Sequence, residues 1–328
     1  MPHARRFGVL LLVALALTGC GTSTSLSWSS PKQIDSSHAL STLDSVSCVS
    51  SRFCMAVDRG GHALSYNGTS WSAVKAIDSG NQLASVSCAS NHFCVAVDGT
   101  NYTGHALIYN GSSWSMPATI DKTNNPPTLT AVSCVSSSFC MAVDYTGHAL
   151  IYNGSSWSAA KEIDKSKGGY LKGNTLSAVS CTRKTFCVAV DESGNALRYN
   201  GISWSAAKYV ENVHGGGLLS VSCVSISFCV VVGQSGNTNV WDGSSWSKLA
   251  TNLDSGDTMD SVSCTSTKFC IAVNSGGNAL TYNGSSWSTP TTIDGSNPPF
   301  GVGLNSVSCV TIEFCMAVDQ SGHGVVGK

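Results

Sequence analysis

Short apolar segments separated by polar turn residues recur along most of the chain. In the copy spanning residues 131–158, the segments 131–134, 139–144, 147–153 and 154–158 are short, rich in Val, Cys or aromatic residues and bounded by Gly, Asn, Asp or Ser. This pattern predicts β-strands. The 3.6-residue period of an amphipathic helix is absent after the first twenty residues. We therefore expect an all-β fold with four short antiparallel strands per copy, named a to d in chain order.

The spacing of the cysteines indicates how many of these copies the chain contains. The chain has 15 Cys, and all except Cys20 fall into seven pairs whose members are six positions apart. The pairs are Cys48 with Cys54, Cys88 with Cys94, Cys134 with Cys140, Cys181 with Cys187, Cys223 with Cys229, Cys264 with Cys270, and Cys309 with Cys315. Successive pairs start 40 to 47 residues apart, which predicts seven tandem repeats.

Seven four-stranded repeats of this length favour a seven-bladed β-propeller over an open solenoid, the competing architecture. The seventh repeat ends at Lys328 without a Ser-Trp segment, whereas residues 27–35 supply such a segment before the first repeat. A ring in which this N-terminal strand joins the last blade accounts for both ends and removes the exposed edge. We therefore predict a propeller over residues 27–328, with strand a lining the axis and strand d outermost.

Two turns within each blade have sequence signals. Asn153-Gly154 predicts a type I′ hairpin between strands c and d; Asn-Gly recurs in four other copies, and Asp242-Gly243 takes its place in a fifth. The paired cysteines flank a five-residue a–b turn, where neighbouring strands bring Cβ atoms close enough for a disulfide inside one blade. Zinc is the alternative, but a tetrahedral site needs about four ligands and the other pairs lie in different blades.

With these repeats, the sequence resembles the β-propeller superfamily, and exported bacterial propellers in particular. It does not have Gly-His and Trp-Asp paired at the spacing of WD40 repeats, a Gly-Gly pair of the kelch kind or the standard Asp box of sialidases. The resemblance implies the fold and leaves the function open.

The first twenty residues have the pattern of an export signal: Arg5 and Arg6, an apolar stretch over residues 9–17, and Cys20. Nine apolar residues are too few to span a hydrocarbon core of ~30 Å. The Leu-Thr-Gly-Cys ending resembles the bacterial lipobox, which implies removal of residues 1–19 and lipidation of Cys20. An ordinary signal peptide with Cys at its cleavage site is the alternative. Residues 20–26 would be a flexible tether, and the expected location is the outer surface of a bacterial membrane, where disulfides persist.

The recurrent aromatic residues have a structural and a functional interpretation. One Trp follows Ser in each d segment, and these rings could stack on sugars, although we favour filling of the wedges between blades. These residues are Trp28, Trp71, Trp114, Trp157, Trp204, Trp246 and Trp287. The Phe before the second cysteine of each pair is expected in the core.

Asp and His at the b–c turns form the most site-like polar pattern. His62, His105, His148 and His323 each follow a turn Asp, whereas Asn stands at this position in the other copies. We favour ordinary turn chemistry, in which the carboxylate accepts backbone N–H bonds, over a metal or acid–base site.

The d–a loops vary most between copies, and in a propeller they share a face with the b–c turns. This face is the candidate binding surface, although loops also vary because they tolerate change. Besides the four histidines, its candidate contact residues are Tyr102, Tyr145, Lys165, Lys167, Tyr170, Lys172 and Phe300.

The composition and the motifs of the sequence limit the functions that we expect for this protein. Only 11% of residues are charged, and 18 Lys and Arg balance 19 Asp and Glu, which argues against a nucleic-acid partner. No catalytic motif or pair of facing carboxylates is evident, so we predict a monomeric, non-enzymatic binding or protein-interaction scaffold without metal or cofactor. The expected partner is a protein or a cell-envelope glycan. A multivalent lectin is the alternative, and an exported hydrolase or lactonase-like enzyme is the third hypothesis.

Overall fold

The protein is a ring of seven antiparallel sheets, and each sheet is one blade of a β-propeller. The computed structural model describes residues 26–36, 42–99, 103–122, 128–165, 175–210, 217–250, 252–295 and 302–328. Each blade has four strands. The predicted fold class is therefore confirmed. In the described part of the chain, no helix is long and apolar enough to cross a membrane.

Every blade begins with a long inner strand, and in most blades the outer strand is only two residues long. Strand a of blades 1 to 7 spans Leu43–Ser50, Leu83–Ser90, Leu129–Ser136, Leu176–Arg183, Leu218–Ser225, Met259–Ser266 and Leu304–Thr311. Strand b spans Phe53–Asp58, Phe93–Asp98, Phe139–Asp144, Phe186–Asp191, Phe228–Gly233, Phe269–Asn274 and Phe314–Asp319. Strand c spans His62–Tyr66, Gly104–Tyr109, His148–Tyr152, Asn195–Tyr199, Thr238–Trp241, Asn278–Tyr282 and His323–Gly327. Strand d spans Lys75–Ala76, Ala118–Asp121, Lys161–Glu162, Lys208–Tyr209, Trp246–Ala250, Thr291–Thr292 and, in blade 7, Lys32–Gln33.

The N-terminal strand closes the ring. Lys32–Gln33 pairs antiparallel with strand c of blade 7, and Trp28 forms a further bridge to Gly327. The chain thus enters the fold as the outermost strand of its last blade, as the unequal ends of the repeat predicted. Two short 3-10 turns, Gln234–Gly236 and Leu253–Gly256, complete the elements of the described residues.

The repeated Ser-x-Ser-Cys sequence of strand a joins neighbouring blades at the axis. Ser45 Oγ accepts the N–H of Val86 at 3.1 Å, and Ser47 Oγ accepts the N–H of Cys88 at 3.0 Å, both in the next blade. The second of these bonds recurs at all seven junctions, including the closing one. Because buried backbone N–H groups need acceptors, the serines make the inner strands one hydrogen-bonded ring.

The seven cysteine pairs all form disulfides within single blades, as predicted. The bonds join Cys48 to Cys54, Cys88 to Cys94, Cys134 to Cys140, Cys181 to Cys187, Cys223 to Cys229, Cys264 to Cys270, and Cys309 to Cys315. Each connects opposite residues of strands a and b, with Cα atoms 3.9 to 4.0 Å apart.

Burial differs between the two cysteines of a disulfide. The strand b members are fully buried, namely Cys54, Cys94, Cys140, Cys187, Cys229, Cys270 and Cys315. The disulfides are therefore structural parts of the blades, and the zinc alternative is wrong for these pairs because their sulfur atoms are bonded to each other. The remaining cysteine of the sequence, Cys20, lies outside the described residues, as does the expected signal segment.

The c–d turns differ from the predicted type I′ hairpin, which needs positive φ at both central residues. Gly68 has φ of +99°, but Asn67 does not have positive φ. The turn is instead a four-residue loop closed by the Asn67 side chain, whose Oδ1 accepts the backbone N–H groups of Thr69 and Ser70 at 3.0 and 2.9 Å. Asn favours this turn through its side-chain oxygen.

The hydrophobic core lies between adjacent blades rather than within one blade. Val143 of blade 3, for example, packs in one cluster with Leu176, Ala189 and Leu197 of blade 4. Five of the seven predicted core phenylalanines are buried, and Phe53 and Phe93 are partly buried.

Candidate functional site

The two faces of the ring are built from different connections. On one face, b–c turns bond to the d–a segments: Tyr145 N donates to Thr128 O at 2.9 Å, and Arg59 N donates to Thr42 O at 3.1 Å. We call this the loop face. On the opposite face, which we call the turn face, c–d turns pack on a–b turns, since a Cβ on Gly68 would lie 3.2 Å from Arg52 Cα.

An axial funnel of about 530 Å³ opens on the loop face. Its wall includes the second residue of strand a from every blade, and this is the position of strand a at which the copies differ most. These residues are Asp44, Ala84, Thr130, Ser177, Leu219, Asp260 and Asn305. Arg59, Tyr145 and Glu192 add side chains from the b–c turns. The funnel wall is therefore built from the least repetitive position of strand a.

Three polar side chains among these seven wall residues form hydrogen bonds to the next blade. Thr130 Oγ1 donates to Leu176 O at 2.5 Å, and Ser177 Oγ donates to Leu218 O at 2.6 Å. At the closing junction between blades 7 and 1, Asn305 Nδ2 donates the corresponding bond to Leu43 O at 2.9 Å. The second residue of strand a thus both shapes the funnel and joins the blades.

The two carboxylates among the seven wall residues, Asp44 and Asp260, lie in different environments. Asp44 is paired with Arg59, whose Nε is 2.9 Å from Asp44 Oδ2, although burial still raises the pKa of Asp44. Asp260 has no such partner, because its Oδ2 is buried and accepts no hydrogen bond. Burial and the nearby Asp257 carboxylate raise the pKa of Asp260 to about 7. The funnel wall therefore holds a carboxyl group that titrates near neutral pH.

All four predicted histidines lie beside a turn carboxylate. Asp98 Oδ1 accepts the N–H of His105 at 2.6 Å, and Asp98 Oδ2 lies 2.9 Å from His105 Nδ1. The same pairing joins Asp58 to His62, Asp144 to His148 and Asp319 to His323. The imidazole rings remain partly exposed, whereas the carboxylates are buried.

A second carboxylate from the neighbouring blade meets several of these turns, which sequence reasoning missed. Residues at the end of the d segment are buried at 0 to 4% exposure, namely Asp35, Asp78, Asp121, Asp164 and Asp294. Asp78 faces Asp98, and the corresponding pairs are Asp35 with Asp58, Asp164 with Asp191, and Asp294 with Asp319. Burial raises the pKa of Asp98, Asp191 and Asp319 to about 6, and the facing carboxyl group adds to the rise.

A signal for these pairs exists in the sequence. Where the d segment ends in Val210 rather than Asp, strand b of the next blade ends in Gly233 rather than Asp or Asn. The two positions therefore change together among the copies of one chain, as expected of residues in contact.

The predicted loop-face residues are only partly described. Tyr145 lines the funnel, and Lys165 is exposed near the start of the segment that connects strand d of blade 3 to strand a of blade 4. Five others, Tyr102, Lys167, Tyr170, Lys172 and Phe300, lie outside the described residues.

The seven tryptophans are partly buried at the rim, each on strand d or at the bridge that precedes it. Trp71 packs on Tyr66 with ring centroids 5.5 Å apart. Three grooves between outer strands, of about 370, 450 and 500 Å³, include tryptophan rings in their walls. In one of them Arg198 lies 4.7 Å from the Trp241 ring.

Comparisons with known proteins show the fold and no family. No protein-family model and no curated protein matches this sequence. Among solved structures, the chain is similar to YCF48 bound to a D1 peptide, with 13% identity, a TM-score of 0.68, and coverage of 91% of this chain and 96% of that one. It is also similar to the WD40 repeats of RRP9, with 11% identity, a TM-score of 0.72, and coverage of 92% and 99%. YCF48 from Cyanidioschyzon merolae is 14% identical, with a TM-score of 0.66 and coverage of 91% and 98%. At these identities the similarity concerns the β-propeller fold.

Proposed function

We propose that this chain is an exported, lipid-anchored β-propeller that acts without catalysis, as a scaffold binding a protein or peptide on its loop face. The observation that carries the proposal is the axial funnel. Its seven wall positions differ among blades that are otherwise nearly alike, and it brings together Asp44, Arg59, Tyr145 and Asp260. Binding sites combine a concave surface with a few polar groups in this way.

The structural comparisons support this choice of ligand class. YCF48, a structural neighbour of this fold, has been solved with a peptide bound. Propellers without a catalytic set present their connecting loops on a rigid frame, which suits recognition. Attachment through Cys20 would leave the ring at the membrane surface. Replacing Cys20 by Ser should abolish incorporation of a labelled fatty acid, and retained labelling would reject the lipid anchor.

The test pans a random peptide library on the oxidised protein and measures enriched peptides against two matched arginine variants of blade 1. Arg59 lines the funnel, whereas Arg52 is exposed on the turn face. We expect Arg59→Ala to weaken binding by about tenfold or more. Arg52→Ala should leave affinity within about twofold, as expected outside the contact surface. Equal effects of the two variants, or no enriched peptide, would contradict a loop-face site.

The rim grooves favour a lectin as the second candidate. Their tryptophan rings are partly exposed, and their repetition would allow multivalent binding of weak sugar ligands. A glycan and cell-wall-fragment array would show saturable binding that declines when Trp71 or Trp246 is replaced by Ala. Binding to no glycan, with peptide binding intact, would leave the scaffold.

A further inference from the structure

Two blade junctions bring three metal-ligand atoms together. At the junction of blades 1 and 2, one side-chain atom each from Asp78, Asp98 and His105 lies within 4.8 Å of the other two. Asp294, Asp319 and His323 form the equivalent group between blades 6 and 7. Within the described residues these are the only groups that converge so closely. They join two blades, so the donors come from separate parts of the chain.

The first group has an unmet electrostatic requirement. Asp78 is 4% exposed, and its Oδ1 accepts a hydrogen bond from Asn81 Nδ2 at 2.9 Å. Its Oδ2 is buried and accepts no hydrogen bond. The carboxyl group that it faces, Asp98, is wholly buried. Two ionised carboxylates repel each other strongly in such a place, so the pair needs a positive charge between its oxygens.

The chain itself shows how such a junction is arranged when no added charge is needed. Between blades 5 and 6, Asn274 replaces the Asp of strand b and donates its Nδ2 to the Asp254 carboxylate. Asn278 donates to the same oxygen at 2.7 Å. Between blades 4 and 5 the two positions are Val210 and Gly233, neither of which has a carboxyl side chain. Blades 1 and 2 have two carboxylates at these positions and a histidine beside them.

The histidine is placed to serve as a ligand. His105 Nδ1 lies 2.9 Å from Asp98 Oδ2, and its Nε2 lies 3.3 Å from Thr103 Oγ1. If Nδ1 bound a metal, the ring proton would reside on Nε2, where the threonine hydroxyl can accept it. Metal-bound imidazoles generally have such a partner on the other nitrogen.

We propose that the Asp78–Asp98–His105 group, and by the same geometry the Asp294–Asp319–His323 group, binds a divalent transition-metal ion such as Zn²⁺. One imidazole nitrogen with two carboxylate oxygens is a donor set that Zn²⁺ accepts, with water completing the coordination. The ion would join adjacent blades and neutralise the facing carboxylates. A proton, either shared by the two carboxyl groups or carried by His105, is the competing source of positive charge. The site does not depend on what the loop face binds.

The test is zinc titration of the full chain with its disulfides oxidised and Cys20 replaced by Ser, which removes the one thiol outside the disulfides. Equilibrium dialysis at pH 7.5 should give two bound Zn²⁺ per chain. Asp98→Asn should reduce this number to one, because it introduces at blade 2 the donor that Asn274 provides in blade 6. His105→Asn, which copies Asn195 of blade 4, should weaken the first site at least about tenfold. Co²⁺ in place of Zn²⁺ should give visible absorption that the same variants halve.

Asp191→Asn is the matched control, because its junction has the carboxyl pair but Asn195 in place of histidine. It should leave two bound ions. Failure of the folded protein to bind Zn²⁺ at pH 7.5 would show that a proton rather than a metal ion balances the carboxyl pair and would overturn the proposal. Equal zinc loss in Asp191→Asn and Asp98→Asn would also overturn it, since the site would then not be the histidine-containing junction.

Discussion

Two blade junctions solve the same packing problem in different ways. Between blades 3 and 4, the buried Asp191 faces a second carboxyl group, Asp164, and burial followed by this contact raises the pKa of Asp191 to about 6. Between blades 5 and 6, Asn274 takes the place of Asp191 and donates a hydrogen bond to Asp254. The difference shows that a buried carboxylate is well accommodated where its neighbour is a donor and costs free energy where its neighbour is another carboxylate.

The junction of blades 2 and 3 shows the effect of histidine on the same position. Asp144 is wholly buried, and burial opposes its ionisation. Hydrogen bonds from the side chain and backbone of His148 outweigh burial and lower the pKa of Asp144. In turn, the Asp144 carboxylate raises the pKa of His148. Asp98 and Asp319 also have a histidine beside them, but each faces a second carboxyl group, and burial together with that group raises their pKa to about 6. The facing carboxyl group, as well as the histidine, therefore decides the direction of the shift.

The largest expected effect comes from removing a turn carboxylate. Asp144 accepts four hydrogen bonds, from the backbone N–H groups of Thr146 and His148 and from both of their side chains. Asp144→Ala leaves these donors without their acceptor inside the fold. We expect the free energy of unfolding, measured by denaturant titration, to fall by about 3 kcal/mol.

Asp144→Asn is the control for that loss. It retains the oxygen that accepts the backbone bonds, as Asn274 does for Gly276 and Asn278 at 3.1 and 2.8 Å. We expect it to recover at least half of the lost stability. A loss below about 1 kcal/mol in Asp144→Ala would show that the turn is held by its backbone alone.

A smaller effect is expected from converting the junction of blades 3 and 4 into that of blades 5 and 6. Asp191→Asn would place a donor opposite Asp164 and keep the oxygen that Ser193 N and Asn195 N reach at 2.9 and 2.6 Å. Because the folded pKa of Asp191 is raised from 3.8 to about 6, its contribution to stability is full below pH 3.8 and is lost as the pH rises through 6.

The stability difference between Asp191→Asn and the wild type should depend on pH. At pH 8 we expect Asp191→Asn to be more stable than the wild type by about 2 kcal/mol, and at pH 4 the advantage should disappear. Denaturant titrations at the two pH values, with EDTA present, measure the difference. An equal effect of the substitution at both pH values would mean that ionisation of Asp191 has no part in it.

The sequence predicted the parts of this molecule that depend on local repetition. The cysteine spacing predicted the disulfides, and the unequal ends of the repeat predicted that residues 27–35 would complete blade 7. The contacts between blades were harder to predict, because Asp78 and Asp98 are twenty residues apart and look like separate turn residues.

The funnel was missed for a similar reason. Asp44, Asp260 and Asn305 meet only when the ring closes, so no segment of the sequence shows them together. The prediction of a type I′ turn between strands c and d was wrong because Asn67 closes the turn with its side chain and does not adopt a positive φ.

The smallest effect concerns the hydrogen bonds at the axis. Ala178 of blade 4 stands where serine accepts a backbone N–H from the next blade at five other junctions. Ala178→Ser would offer that acceptor to Val221, and we expect the free energy of unfolding to rise by about 0.5 to 1 kcal/mol. Ser180→Ala tests the same junction in the opposite direction, because Ser180 Oγ accepts the N–H of Cys223 at 3.0 Å. Opposite shifts of similar size would show that these bonds add to the strength of a junction that has no carboxyl pair. If neither variant changed stability, the apolar contacts around Val231 and Leu218, with the Ser177 to Leu218 hydrogen bond, would be enough to hold blades 4 and 5 together.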